Sequence, residues 1–307
     1  MSLTELRKPP RLRPGDRVAL VAPAGVVAPE RAEGAATLLR SRGLRVEVRR
    51  DLTARYRYLA GDDRRRSEEL LHALADPGVR AVFLARGGYG AQRLLPALPS
   101  EAPSPPRAVV GFSDNTALLD VLRCRWGWGV LHGPHPEFEW PDELDAVLGC
   151  LGYYGEPARP GFFGLRLWNE GGWERVRAEV GGGCLSLLAS GLGTPWAFRA
   201  AGRIVFLEEV GEPVYRIDRM LQQLRLSGAL DEAAAVVFGQ PRSFLAPGEE
   251  QIQLEELLEE FAATCPFPVL SGASAGHVRP NLPVPFGPRA LLDPAAGTLA
   301  FLEEAVE

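Results

Sequence analysis

From Arg17 to Pro134 the chain alternates two textures. Short apolar runs rich in β-branched residues, RVALVAPAG, LRVEVRR, VRAVFLARGG, RAVVGFS and GVLHGP, are separated by segments at Pro29 to Arg42, Asp62 to Ala75, Ala91 to Leu98 and Asp114 to Cys124 whose apolar residues recur at helical spacing. The first texture predicts strands and the second amphipathic helices. These strands are too continuously apolar to keep one face in water, so they belong in a parallel sheet covered by helices. The expectation is a doubly wound α/β domain over residues 1–154. In such sheets ligands bind beyond the carboxyl ends of the strands, where this chain carries Gly- and Ser-bearing turns.

The pattern then breaks. Residues 155–183, GEPARPGFFGLRLWNEGGWERVRAEVGGG, are rich in Gly, Pro and Trp with weak alternation and predict a linker with short strands. Beyond it CLSLLASGL predicts a helix, GRIVFLEEV a strand, and Pro213 to Leu226 an amphipathic helix with proline in its first turn. The strand AAAVVFGQ, a helix from Glu250 to Thr264, FPVLSG and the closing runs RALLD and GTLAFLE follow. Residues 184–307 therefore predict a second, smaller α/β domain with more antiparallel character.

Length agrees with two domains, because 307 residues exceed what one core usually serves. An apolar share of 46% and a charged share of 24% belong to a folded, water-soluble chain. A net charge of -5, with no basic run beyond DDRRR at Asp62 to Arg66, argues against a nucleic-acid partner. No apolar stretch precedes Val18 and none reaches the roughly eighteen residues that span a bilayer, so the expectation is a cytoplasmic protein without membrane contact. Cys124, Cys150, Cys184 and Cys265 lack CxxC spacing and read as isolated buried thiols, and neither a metal nor a cofactor is expected.

The chemistry starts at GFSDN. A serine on a sharp strand-to-helix turn has its hydroxyl pushed outward, while the next backbone N–H lies at a helix N-terminus, suited to an oxyanion. Ser113 and Asp114 occupy those positions, yet Ser, Asp and Asn are also the preferred helix caps. In ARGGYG, after another core strand, Gly87 or Gly88 offers a second N–H with no Cβ in the way; a tight turn is the plain alternative. No GxGxxG or P-loop pattern supports a nucleotide site.

A serine nucleophile needs a base, and the chain has 4 histidines. His72 falls in a surface helix; His132 and His135 share the HGPH loop, a weak metal spacing; His277 lies among small residues in SGASAGHVRPN. On composition His277 ranks slightly above His132. The orienting acid is Glu208 or Glu209, at the end of an apolar strand where alternation sends them to opposite sides.

Taken together, ARGGYG, GFSDNTALL, LHGP, LSLLASGLGTPW, FLEEVGEPVYRIDRMLQQL and GHVRPNLPVPFG, in this order over Arg17 to Leu292, resemble the LD-carboxypeptidase family of serine peptidases, which includes microcin C immunity peptidases. The resemblance implies a flavodoxin-like N-terminal domain carrying the nucleophile, a smaller C-terminal domain carrying the acid and base, and often a homodimer. It implies a triad of Ser113, Glu208 and His277 and an oxyanion hole from the backbone of Gly88 and Asp114. The implied reaction is release of terminal D-alanine from the murein tetrapeptide in cell-wall recycling. Arg86, beside the glycine pair, is a candidate for the substrate's terminal carboxylate, with an exposed strand-end arginine as the alternative. A microcin-type peptidase acting on peptidyl or aminoacyl nucleotides is the rival, with Trp168 and Trp173 as candidate base-stacking surfaces. A non-catalytic two-domain binding protein is the rival from another class.

Overall fold

The computed structural model describes residues 4–136 and 140–307. The strands in chain order are β1 (Arg17–Val21), β2 (Arg45–Val48), β3 (Val79–Leu84), β4 (Ala108–Gly111), β5 (Val130–His132), β6 (Gly161–Phe163) and β7 (Arg166–Leu167). Then come β8 (Val176–Cys184), β9 (Ile204–Glu208), β10 (Ala235–Gly239), β11 (Val269–Ala273), β12 (Val284–Phe286), β13 (Arg289–Asp293) and β14 (Thr298–Phe301). The α-helices are α1 (Pro29–Ser41), α2 (Asp63–Ala75), α3 (Thr116–Trp126), α4 (Pro141–Cys150), α5 (Leu185–Ser190), α6 (Val214–Leu226) and α7 (Gln251–Ala263). Among the described residues no helix is long and apolar enough to cross a membrane.

The first sheet runs β12-β5-β4-β3-β1-β2, parallel from β5 through β2. The order 2-1-3-4-5 is the flavodoxin-like one, and its switch point lies between β1 and β3. Every residue of β4, and all but one of β3, is buried, as expected of parallel strands covered on both faces. The second sheet runs β6-β14-β13-β8-β9-β10-β11-β7, with a parallel centre of β8, β9, β10 and β11 and antiparallel strands on both flanks.

Ala91–Ala97, expected as an amphipathic helix, forms a 3-10 helix around Pro96, and α4 was not foreseen; two further differences bear on the site. The stretch 155–183, expected as a linker, supplies β6, β7 and most of β8, an inner strand of the second sheet. The glycines that end it serve close approach rather than flexibility. A Cβ on Gly183 would sit 2.6 Å from the Thr116 hydroxyl at the start of α3, and one on Gly182 would strike the Phe206 carbonyl of β9. With those strands the described rear sheet has 8 strands against 6. The second difference is β12: it leaves the rear half of the chain and pairs antiparallel with β5, placing Val284 beside His132.

The two sheets share a core. One buried cluster contains Val82, Val109 and Leu119 from the front half together with Val180, Phe206 and Val237 from the rear. Buried or half-buried polar links cross the same seam: Arg203 to Asp120 at 3.2 Å, Arg123 to Glu179 at 2.6 Å, and Cys184 N–H to the Thr116 hydroxyl at 3.0 Å. Burying unpaired partners of such contacts is costly, so they fix one arrangement of the two halves.

Candidate active site

Ser113 stands where β4 ends, on a 3-10 turn Ser113–Asn115 that leads into α3. It does not cap α3, whose N-cap position is Asn115, without a side-chain cap bond. Its φ is +62°, a left-handed conformation that costs a serine about 1–2 kcal/mol and turns its side chain outward. The neighbours hold that corner in place. Asp114 is buried and accepts from Ala91 N–H at 2.7 Å; burial raises its pKa. Asn115 donates to the Phe112 and Arg86 carbonyls, each at 3.2 Å, and Thr116 accepts the Cys184 bond already described.

The loop after β3 lies against this corner. A Cβ on Gly87 would sit 2.8 Å from the serine Cβ and 3.2 Å from Asp114 N, so only glycine lets the two backbones approach. Gly87 in turn accepts from Gly25 N–H, after β1, at 3.0 Å. The turns after β1, β3 and β4 therefore converge beyond the carboxyl edge of the sheet, at its switch point.

The rear half supplies the imidazole and the carboxylate. His277 Nε2 is 3.2 Å from Ser113 Oγ, and His277 Nδ1 is 2.6 Å from Glu208 Oε2, at the end of β9. Gly276 makes room for this contact, since a Cβ there would lie 2.5 Å from the same oxygen. Burial opposes ionisation of Glu208, but the facing imidazoles of His132 and His277 outweigh it and hold the carboxyl down at about 2. An ionised carboxylate only accepts, so Nδ1 carries the ring proton and Nε2 is left to accept from the serine hydroxyl. Burial pushes the His277 pKa down, yet the Glu208 hydrogen bond and charge prevail and raise it. Glu209 faces the other way: it is buried, accepts from Ser186 N–H at 2.7 Å and Val210 N–H at 2.9 Å, and so ties the start of α5.

Ser113, His277, Gly87 and Gly88 line an open cavity of about 540 Å³ together with Phe112 and His135. Arg31, Arg86 and Arg279 also line it, and among the described residues no acidic one does. Arg86 donates to the Val26 carbonyl, and Arg279 pairs with Glu143 at 2.7 Å. Arg31 and Arg279 escaped the sequence reading, because they come from α1 and from the loop after β11, far along the chain from the serine. His135 packs on Phe112, with its Nε2 3.2 Å from Asn115 Nδ2; burial drives its pKa well below the imidazole norm. His72 lies on α2, exposed. Trp168 and Trp173 do not line the cavity. Trp168 donates to Ser271 at 2.8 Å and stacks under Arg166, and Trp173 donates to the Asn169 carbonyl, so both are packing residues at the β7 edge of the rear sheet. All four cysteines are free, and among the described residues no cluster of potential ligands is able to hold a metal.

A hydroxyl, an imidazole and a carboxylate in series, beside paired glycines on an α/β scaffold, is the arrangement that serine hydrolases have reached on several folds. Comparison with known proteins narrows the class. The LD-carboxypeptidase N-terminal domain matches residues 18–133 and the LD-carboxypeptidase C-terminal domain matches residues 177–292. A putative carboxypeptidase of Streptomyces coelicolor is 40% identical, over 97% of this chain and 96% of its own. The murein tetrapeptide carboxypeptidase of Pseudomonas aeruginosa is 35% identical, over 90% and 93%. The crystal structure of muramoyltetrapeptide carboxypeptidase from Oxalobacter formigenes superposes with a TM-score of 0.80 at 27% identity, covering 94% of this chain and 99% of that one. The chain belongs to the LD-carboxypeptidase family.

Proposed function

We propose that this protein is a cytoplasmic serine LD-carboxypeptidase that releases terminal D-alanine from the murein tetrapeptide during cell-wall recycling. The observation that carries the reading is the unbroken series from Ser113 Oγ through His277 to Glu208, at 3.2 Å and 2.6 Å. His277 Nε2 takes the hydroxyl proton as Oγ attacks the last peptide carbonyl. The resulting oxyanion is assigned to the backbone N–H groups of Asp114, the residue after the serine, and Gly88, which lines the same cavity. His277 then passes its proton to the departing amine of D-alanine, and the C–N bond breaks. Water, deprotonated by the same imidazole, hydrolyses the acyl-enzyme. Glu208 keeps the ring in its tautomer and offsets the charge on the imidazolium.

Restriction to the last residue follows from charge. The substrate's terminal carboxylate is drawn to the arginine rim, with Arg86 beside the glycine pair as its assigned partner, so the scissile bond next to it lies over Ser113. The murein tetrapeptide carboxypeptidase among the relatives supports the peptide substrate. The family resemblance adds a homodimer to this reading.

The test is mass spectrometry of products from a defined murein tetrapeptide. Wild type is expected to release D-alanine and Ser113→Ala to lose roughly 10⁴-fold or more in kcat with its circular dichroism unchanged. Undiminished release by Ser113→Ala overturns the proposal. An aminoacyl sulfamoyl adenylate in a parallel arm addresses the nucleotide-conjugate alternative. Turnover of that compound in preference to the tetrapeptide would replace the substrate assignment while leaving the site roles in place.

A further inference from the structure

Glu208 has two oxygens, and the series uses one of them. Oε2 accepts from both the ring and the backbone N–H of His277, at 2.6 Å and 3.2 Å. Oε1 has no hydrogen-bond partner among the described residues, although the residue is 0% exposed. A buried carboxylate oxygen left unpaired is costly and calls for an explanation.

Facing Oε1 at 3.6 Å is Nε2 of His132, a residue that is itself 0% exposed. Neither of its ring nitrogens has a hydrogen-bond partner among the described residues. Its backbone is fixed on both sides, paired with Gly111 of β4 and Val284 of β12. Its ring is enclosed by Phe112, Phe206 and Phe286, with centroids 6.0, 5.3 and 5.7 Å away. Two unsatisfied polar atoms, one able to donate and one able only to accept, thus face each other in an apolar sleeve. They are about 0.7 Å beyond the length of an ordinary N–H···O hydrogen bond. Hydrogen bonds in catalytic sites are often long before substrate binds and shorten afterwards.

We propose that His132 is a positioning residue whose Nε2–H donates to Glu208 Oε1 in the working enzyme, extending the series to His132, Glu208, His277 and Ser113. With one oxygen held from the front sheet and the other held by His277, the carboxylate plane is fixed from both halves of the molecule. The rear strand β12 acquires a reason to cross into the front sheet: it braces β5 at the residue that does the holding. The inference rests on the triad reading above, but its spectroscopic test does not depend on activity.

A ring that served packing alone would be replaced without loss by phenylalanine, since the sleeve is already aromatic. The expected result for His132→Phe is a kcat for D-alanine release roughly tenfold to a hundredfold lower, with KM within about twofold, because a charge-assisted bond is lost after binding. His132→Gln, which carries an N–H at similar reach, should recover most of that kcat. In the wild-type protein, ¹⁵N-histidine NMR should find His132 as the Nε2–H tautomer with a downfield ring proton. A wild-type kcat in His132→Phe, or His132 as the Nδ1–H tautomer, overturns the proposal. If His132→Phe does not fold, the tautomer in the wild-type protein decides. Failure of the triad reading would show separately, as a wild-type protein that releases no D-alanine while the tautomer remains readable.

Discussion

The serine corner and the acid–base pair meet across 3.2 Å, yet the chain makes them by opposite means. Phe112 to Thr116 are consecutive residues of one strand, turn and helix start, and the corner's strain is held by the side chains of Asp114 and Asn115 immediately after the serine. Glu208 and His277 are separated by 69 positions and belong to different strand ends of the rear sheet. They meet because small residues let their backbones close in: Gly239 and Gly276 both lie against the Glu208 side chain. The first half of the site is a local motif with tertiary support, and the second exists only as tertiary structure.

The same contrast appears inside two adjacent residues. Glu208 and Glu209 are both buried carboxylates, but strand alternation sends one to His277 and the other to the N-terminus of α5. Exchanging each for its amide separates a chemical from an architectural role. Glu208→Gln removes the anion that sets the imidazole tautomer, and kcat should fall about 10⁴-fold with KM little changed. Glu209→Gln should leave kcat within about twofold and lower unfolding stability by about 1–3 kcal/mol, measured by urea denaturation. Equal losses of kcat in the two variants would erase the distinction.

A smaller effect sharpens the same contrast through pH. His277 must be neutral to accept the serine proton, and Glu208 raises its pKa above the ordinary value of 6.5. The acid limb of kcat/KM should therefore fall above pH 6.5, and in Glu208→Gln it should move down toward that value or below. The stability linkage has the opposite sense for the two partners. The raised imidazole contributes stability below its unfolded value of 6.5 and loses it as pH rises through the folded pKa. The depressed carboxyl contributes above 4.5 and loses its share as pH falls toward about 2. Kinetic profiles and denaturation series across pH check both directions.

This division explains what the sequence allowed a reader to see. The alternation of strands and helices in the front half was legible, because fully buried parallel strands and amphipathic helices leave strong periodicities, and Asp62 caps α2 as its position suggests. The serine was visible for the same reason: strand, corner and helix are contiguous. His277 and Glu208 could not be separated from His132 and Glu209 by local pattern, and family resemblance was needed to single them out. The stretch 155–183 misled because Gly181, Gly182 and Gly183 look flexible when read alone, whereas in the fold they are narrow places where β8 passes β9 and α3. β12 was missed altogether; its residues lie in NLPVPFG, and nothing local says that they pair with the front sheet. Arg31 and Arg279 join the cavity only through folding, so no spacing announced them.

In the proposed mechanism an imidazole from the rear half activates a hydroxyl from the front half. The most direct measurement is the rate of labelling by a fluorophosphonate probe, read by peptide mass spectrometry on wild type, His277→Ala and Ser113→Ala. The expected result is a single adduct on the peptide containing Ser113, formed orders of magnitude more slowly in His277→Ala and absent in Ser113→Ala. Labelling at Ser113 that proceeds at the wild-type rate in His277→Ala, or an adduct on a different residue, contradicts it.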